Sequence, residues 1–322
     1  MALHKNRKRE LEDELGFGTK VTERNTRFIH PDGTFNIQRK EVSNWGSISI
    51  YHHLISMSWR KFNTIIILYF MLMNALFASL YYFVGLDQLA GSRSVTPLGK
   101  YFDGFYFSAQ TLTTVGYGGL SPGSHLMNAI ASVEALVGVL GFALITGLLY
   151  GRFSRPTAKI MFSKNAIIAP FREGTAFQFR LANQLRNSQL IDVECRVSVS
   201  LLEDDNGKKV RKFRPLDLEI KKINFFPMSW TINHIITDAS PLYGMSASDL
   251  EESDAEFMIL ITGFDDTFSQ TVNSRYSYKY FETVHGARFK SVFSFDERGR
   301  TVQDLNLLSV YEEAELPVLV EA

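Results

Sequence analysis

Eight residues carry the chemistry in this chain: Thr111 to Gly118, reading TLTTVGYG. A bare potassium ion must shed its water before entering a narrow passage. Stacked backbone carbonyls are the natural replacement for that water. Successive carbonyls can face one axis only if the backbone alternates between unusual conformations. Gly116 and Gly118 permit this, because glycine reaches positive φ without a Cβ clash. Thr114 adds a hydroxyl oxygen at the inner end, so Thr114, Val115, Gly116 and Tyr117 are the expected K⁺ ligands. Val115 and Tyr117 are expected to turn away from the axis and brace the loop from behind. Thr111 and Thr113 are the expected support just before it.

These residues need a scaffold that holds irregular backbone at membrane depth. Such backbone is tolerated only where protein buries it or it lines a water-filled cavity. Thr64 to Val84 is 21 residues without a charge, enough to span a bilayer. The first span is placed at about 62–84, with Asn74 inside it as a helix–helix hydrogen-bonding residue and Tyr81 and Tyr82 as interface-belt aromatics at its far end. Tyr101 to Thr113 is aromatic and too short to span, which suits a re-entrant pore helix at about 101–113 whose carboxyl end favours a cation. The second span, about 125–152, carries one charge in its apolar run, Glu134. An acid at that depth is a candidate filter support or a functional group. Gly138, Gly141 and Gly147 are candidate hinges.

Before the first span, Trp45, Ile48, Tyr51, Ile55, Trp59 and Phe62 recur at helical spacing, predicting an interfacial helix over 45–58. Residues 1–44 are polar and charged and read as a cytoplasmic arm. They show no apolar core of a signal peptide. Residues 1–61 carry 11 Lys or Arg, and Arg152, Arg155, Lys159 and Lys164 follow the second span. The loop between the spans has only Arg93 and Lys100. Both termini are therefore expected in the cytoplasm.

Beyond residue 158 the hydrophobic period becomes two. Val193, Cys195, Val197, Val199 and Leu201 share one face of a strand over Ile191–Leu201. Asp204-Asp205-Asn206-Gly207 reads as its hairpin turn. Further strands are predicted at 176–182, 229–236, 256–264, 269–277 and 288–295, which together argue for a β-sandwich over 154–311 with a tail at 312–322. The chain has 322 residues, 34 basic and 34 acidic, so bulk nucleic-acid binding is not expected. One cysteine, Cys195, excludes an intrachain disulfide framework and reads as core. The 7 histidines lack metal-ligand spacing. No nucleotide loop or nucleophile–base pair suggests an enzyme, and no cofactor beyond the permeant K⁺ is expected.

The longer stretches FSAQTLTTVGYG, VEALVG, LLYGRFSRPTAKIMFS, NAIIAPFREG, FRLANQLRNSQLIDVECRV, MSWTINHIITDASPLYGMSASDL and TGFDDTFSQTVNSRYSY make the chain resemble the inward-rectifier potassium channels of the bacterial, KirBac type. The resemblance covers about residues 45–296. It implies a two-span α-helical pore domain with re-entrant helix and filter (59–153), an interfacial slide helix, and a cytoplasmic immunoglobulin-like β-sandwich. It also implies a homotetramer around one pore, and one loop per chain independently requires several copies to complete each carbonyl ring. Tyr150 and Phe142 match gate positions of the family. Phe142 stands where strong rectifiers carry an acid, and Gln110 where many relatives have a glutamate behind the filter. Glu203, Asp204, Asp205 and Asp266 are candidate acids of a cytoplasmic pore. The family's phosphoinositide sensitivity, with Arg60, Lys61, Arg152, Arg155 and Lys159 near the span ends, implies an anionic-lipid partner. The expected function is passive K⁺ conduction across a bacterial inner membrane. The reading from another class is a nonconducting membrane scaffold built on the same frame.

Overall fold

The computed structural model describes Arg24 and residues 26–37, 50–154, 158–184, 190–205 and 207–317. The chain forms two compact units, Lys40–Arg155 and Met1–Arg39 with Pro156–Ala322.

In the first unit, helix α1 (Ile50–Ser56) is separate from α2 (Trp59–Val84). The residues of the predicted interfacial helix before Ile50, with Trp45 and Ile48, lie outside the described part. The separation falls at Met57–Ser58, so Trp59 and Phe62 belong to the spanning helix. Gly85, at φ +110, ends α2. Strand β1 (Leu89–Ala90) follows, then the pore helix α3 (Pro97–Leu112). It starts four residues before the aromatic run that predicted it. The Thr96 hydroxyl caps the Gly99 N–H at 3.1 Å, and Pro97 needs no N–H partner in the first turn. Strand β2 (Ser121–Pro122) pairs antiparallel with β1, and α4 (His125–Phe153) begins behind its Ser124 cap. Both α2 and α4 are long and apolar enough to cross a membrane.

The second unit is a β-sandwich. Strands β3 (Ile160–Phe162), β4 (Ala166–Phe171), β5 (Gly174–Asn183), β6 (Leu190–Asp205), β7 (Lys208–Leu216), β8 (Lys222–Phe225) and β9 (Trp230–Ile236) come first. Helix α5 (Ala247–Glu252), β10 (Glu256–Asp265), β11 (Gln270–Lys279) and β12 (Thr283–His285) follow. One sheet runs β11-β10-β6-β7 with β8 also on β6. The other runs β12-β4-β5-β3 with β9 on β5. The facing sides bury Phe177, Phe179 and Ile232 against Val193, Cys195, Val197, Val199 and Phe257. The rings of Phe177 and Phe257 stack with centroids 4.1 Å apart. The predicted strand over 288–295 is two pieces, β13 (Ala287–Phe289) and β14 (Phe293–Phe295). The first pairs with β16 (Tyr311–Glu313), the second with β15 (Thr301–Gln303). A tail beginning at 312 would therefore cut a paired strand.

The arm is not independent over its described part. Phe28 and Ile29 pack on Phe213 and Met258 on the outer side of the β10–β6–β7 sheet. The buried Glu256 carboxylate accepts the N–H groups of Phe28 and Ile29, and Arg27 pairs with Glu282 at 3.0 Å. Under this contact lies a buried charge cluster. Asp254 bonds Arg211 at 2.6 Å and Lys279 at 2.7 Å, all three being almost fully enclosed. The alternating pattern gave no hint of it, because charged residues on a strand read as solvent-facing.

Candidate functional site: an ion-coordinating loop on the pore helix

Helix α3 ends at Leu112, and the loop begins in the shape the carbonyl ladder requires. Thr114, Gly116 and Gly118 all have positive φ, +59°, +53° and +77°, alternating with Val115 and Tyr117. Such alternation is how neighbouring carbonyls come to share a direction. Thr114 reaches it without being glycine, at a cost of roughly 1–2 kcal/mol. The strain is held by α3. The Gln110 carbonyl receives the Val115 N–H at 2.9 Å and the Gly116 N–H at 3.3 Å. The Thr114 N–H reaches the Thr111 carbonyl at 3.0 Å. The hydroxyls of Thr111 and Thr113 donate back to Phe107 and Ala109 carbonyls at 2.9 and 2.6 Å. Gln110 thus acts here through its backbone.

Val115 and Tyr117 are 53% and 81% exposed, so no brace behind the loop forms within one chain.

Behind α3 a buried polar network joins three helices. Tyr81 on α2 donates to Glu134 on α4 at 2.6 Å. Ser108 on α3 donates to the other Glu134 oxygen and lies 3.0 Å from the Asn74 carbonyl oxygen. Asn74, Ser108, Tyr81 and Glu134 are each completely buried. Sequence reading placed Asn74 and Glu134 but missed Ser108 and Tyr81. Tyr81 looked like an interface-belt aromatic, yet its ring packs 5.1 Å from Phe107.

The candidate hinges separate into two kinds. A Cβ on Gly138 would lie 2.1 Å from the Leu112 carbonyl oxygen, and one on Gly141 would lie 2.8 Å from the Tyr69 hydroxyl. These two are bare for close packing. Gly147 has nothing within 4 Å. Helix α4 is unbroken through all three. Phe142 and Tyr150 are 75% and 74% exposed on it, unpacked by their own chain.

The basic residues near the span ends differ in what they touch. Arg152 donates to the Leu54 and Met57 carbonyls at the end of α1, both at 2.7 Å. Its guanidinium lies 4.5 Å from the ring centres of both Trp59 and Phe62. It is partly buried and already holds two carbonyls of its own chain. Arg60, Lys61 and Lys159 are exposed, and Arg155 lies outside the described residues.

Two of the candidate pore acids are also engaged. Glu203 pairs with Lys212 at 3.0 Å and Arg214 at 2.5 Å across the β6–β7 ladder. Asp204 accepts the Gly207 N–H at 2.6 Å and so closes the hairpin. Asp266 is exposed beside Asp265, whose carboxylate caps the turn at Thr267 and Phe268. The Asp205 side chain lies outside the described residues.

Comparison with known proteins agrees with this geometry. The inward rectifier potassium channel C-terminal domain matches residues 160–321, and the ion channel domain matches 70–155. Over 290 residues the chain is 37% identical to inward rectifier potassium channel Kirbac3.1 of Paramagnetospirillum magnetotacticum, covering 89% of this chain and 96% of that one. It is 27% identical over 299 residues to the ATP-sensitive inward rectifier potassium channel 8 of Rattus norvegicus, covering 84% and 70%. With the filter motif, two spanning helices and an all-β domain on one chain, this protein belongs to the inward-rectifier potassium channel family, on its bacterial KirBac branch.

Proposed function

We propose that four copies of this chain form one K⁺-selective pore in a bacterial inner membrane, with both termini cytoplasmic. The observation that carries this reading is the alternation of positive φ at Thr114, Gly116 and Gly118. One chain supplies one carbonyl per level, and the carbonyls of Thr114, Val115, Gly116 and Tyr117, with the Thr114 hydroxyl, become complete sites only in a ring. The exposed Val115 and Tyr117 then pack against neighbouring copies. Conduction is passive. Ions leave water for carbonyls of matched number and spacing, and adjacent sites keep each ion weakly enough held to move on.

The gate is at the inner end of α4, where Tyr150 and, one level up, Phe142 offer four-fold rings of aromatic side chains that exclude water. Anionic lipid acts through Arg60 and Lys61 at the start of α2, with Arg155 and Lys159 in the linker. Each basic group near such a surface contributes on the order of 1 kcal/mol.

Purified protein in K⁺-loaded liposomes tests the reading. Barium-sensitive K⁺ efflux is expected, with K⁺ strongly preferred over Na⁺. Gly116→Ala, which puts a Cβ on a φ of +53°, is expected to abolish efflux or the preference. No efflux under any lipid composition would leave the scaffold reading standing.

A further inference from the structure

The inner half of the filter loop hangs from α3 through the Gln110 carbonyl. The outer half is held differently. Gly118 is followed by Gly119, Leu120 and then β2, whose Ser121 and Pro122 pair with Ala90 and Leu89 of β1. At both ends of this short ribbon the backbones approach closer than a side chain permits. A Cβ on Gly91 would stand 1.9 Å from the Gly119 carbonyl oxygen. One on Gly123 would stand 2.5 Å from the Gln88 carbonyl oxygen, to which the Gly123 N–H also donates at 2.8 Å. Each obstacle is backbone, so no rotamer change relieves it. Gly91 has φ +91°, whereas Gly123 does not lie in the left-handed region, so there only space demands glycine.

The same loop is tied to α3 on both sides of β1. Asp87 pairs with Lys100, and the Ser92 hydroxyl donates to Asp103 at 2.7 Å. One jaw of the ribbon is therefore fixed to the helix that also holds the inner half of the filter. The other jaw is the chain leaving the filter. Within this chain, a Cβ on Gly118 or Gly119 would meet nothing within 4 Å, and the first anchored side chain after them is Leu120, which packs against the buried cluster that includes Leu86 and Leu89 next to β2.

We propose that the β1–β2 ribbon is a clamp that sets the position of the filter's outer end, and that Gly91 and Gly123 are positioning residues for ion selectivity. The proposal rests on the reading of residues 114–118 as a K⁺ filter. Clearing a Gly91 methyl from 1.9 Å to ordinary contact at 3.4 Å displaces the Gly119 carbonyl by about 1.5 Å. Only Gly118 separates Gly119 from Tyr117, so the displacement is passed through one residue to the outermost carbonyl ring. Discrimination between K⁺ and Na⁺ depends on carbonyl number and spacing, which such a shift spoils.

Full-length Gly91→Ala and Gly123→Ala in liposomes test the clamp, with K⁺ and Na⁺ flux measured alongside oligomer size. Gly85→Ala is the control, because Gly85 has φ +110° but its Cβ would meet only the Gln88 side chain at 3.7 Å. The K⁺-over-Na⁺ flux ratio is expected to fall at least tenfold in Gly91→Ala and Gly123→Ala, with assembly intact and Gly85→Ala unchanged. Wild-type selectivity in both clamp variants overturns the proposal. Loss of assembly in both, with normal selectivity in the residual channels, also overturns it and assigns the glycines to folding. A wild type without K⁺ flux removes the filter reading and the clamp together. A selective wild type with selective variants removes the clamp alone.

Discussion

The Tyr81 hydroxyl donates to the Glu134 carboxylate at 2.6 Å, joining the first spanning helix to the second behind the pore helix. Both groups are fully buried, so neither can turn to water if the other is lost. Tyr81→Phe is expected to destabilise the assembled channel by about 1–3 kcal/mol per chain. Glu134→Ala removes the acceptor of Ser108 as well and is expected to be worse. Thermal dissociation of the purified oligomer checks both. Unchanged midpoints would show that the network does not brace the filter.

Arg152 gives a second prediction. Arg152→Ala removes two carbonyl bonds and the stacking on Trp59 and Phe62. Hydrogen exchange in α1 is expected to accelerate at least tenfold. Arg152→Lys is expected to restore little, since a compact ammonium can neither fork across two carbonyls nor stack as a plane. Arg60→Gln with Lys61→Gln is expected to alter the response of flux to anionic lipid while α1 keeps its protection. The reverse pattern would return Arg152 to the lipid site.

Tyr150 and Phe142 supply the gate test. Tyr150→Ala is expected to raise basal K⁺ efflux several-fold, and Phe142→Ala more weakly, with selectivity kept because the filter is untouched. Unchanged efflux in both would place these aromatics against lipid.

Asp254 gives a pH prediction. Burial opposes its ionisation, but Lys279 and Arg211 bond and attract the carboxylate, and together they hold it below the usual range. A depressed acid stabilises the fold above its unfolded pKa of about 4. That stability is lost as pH falls through the lower, folded value. Asp254→Asn is expected to cost roughly 3–5 kcal/mol at neutral pH, because it leaves two buried cations short of charge. The variant's loss is expected to shrink below about pH 4, where the unfolded wild type takes up a proton that the folded carboxylate must release. Denaturant midpoints of the β-sandwich across pH 3–7 measure it. A constant difference would mean that the Asp254 carboxyl has the same pKa folded and unfolded.

What the amino-acid order determined by itself is the part governed by local physics. TVGYG, with glycines at two of three positive-φ positions, specifies a carbonyl-lined loop before any neighbour is known. Long apolar runs with at most one charge specify spanning helices, and the alternation of Val193 to Leu201 specifies which face of β6 is buried. Partners distant in sequence were decided by the tertiary structure. Tyr81 reads as an interface aromatic until Glu134, 53 residues away, is placed beside it. Arg152 reads as a membrane-facing cation until the carbonyls at the end of α1, 95 and 98 residues earlier, arrive to accept its hydrogen bonds. Gly138 reads as a hinge until the end of α3 presses against it. In each case residue type sets what a group can bond, while desolvation by the fold decides what it must bond, and only the packed chain says which groups water has left.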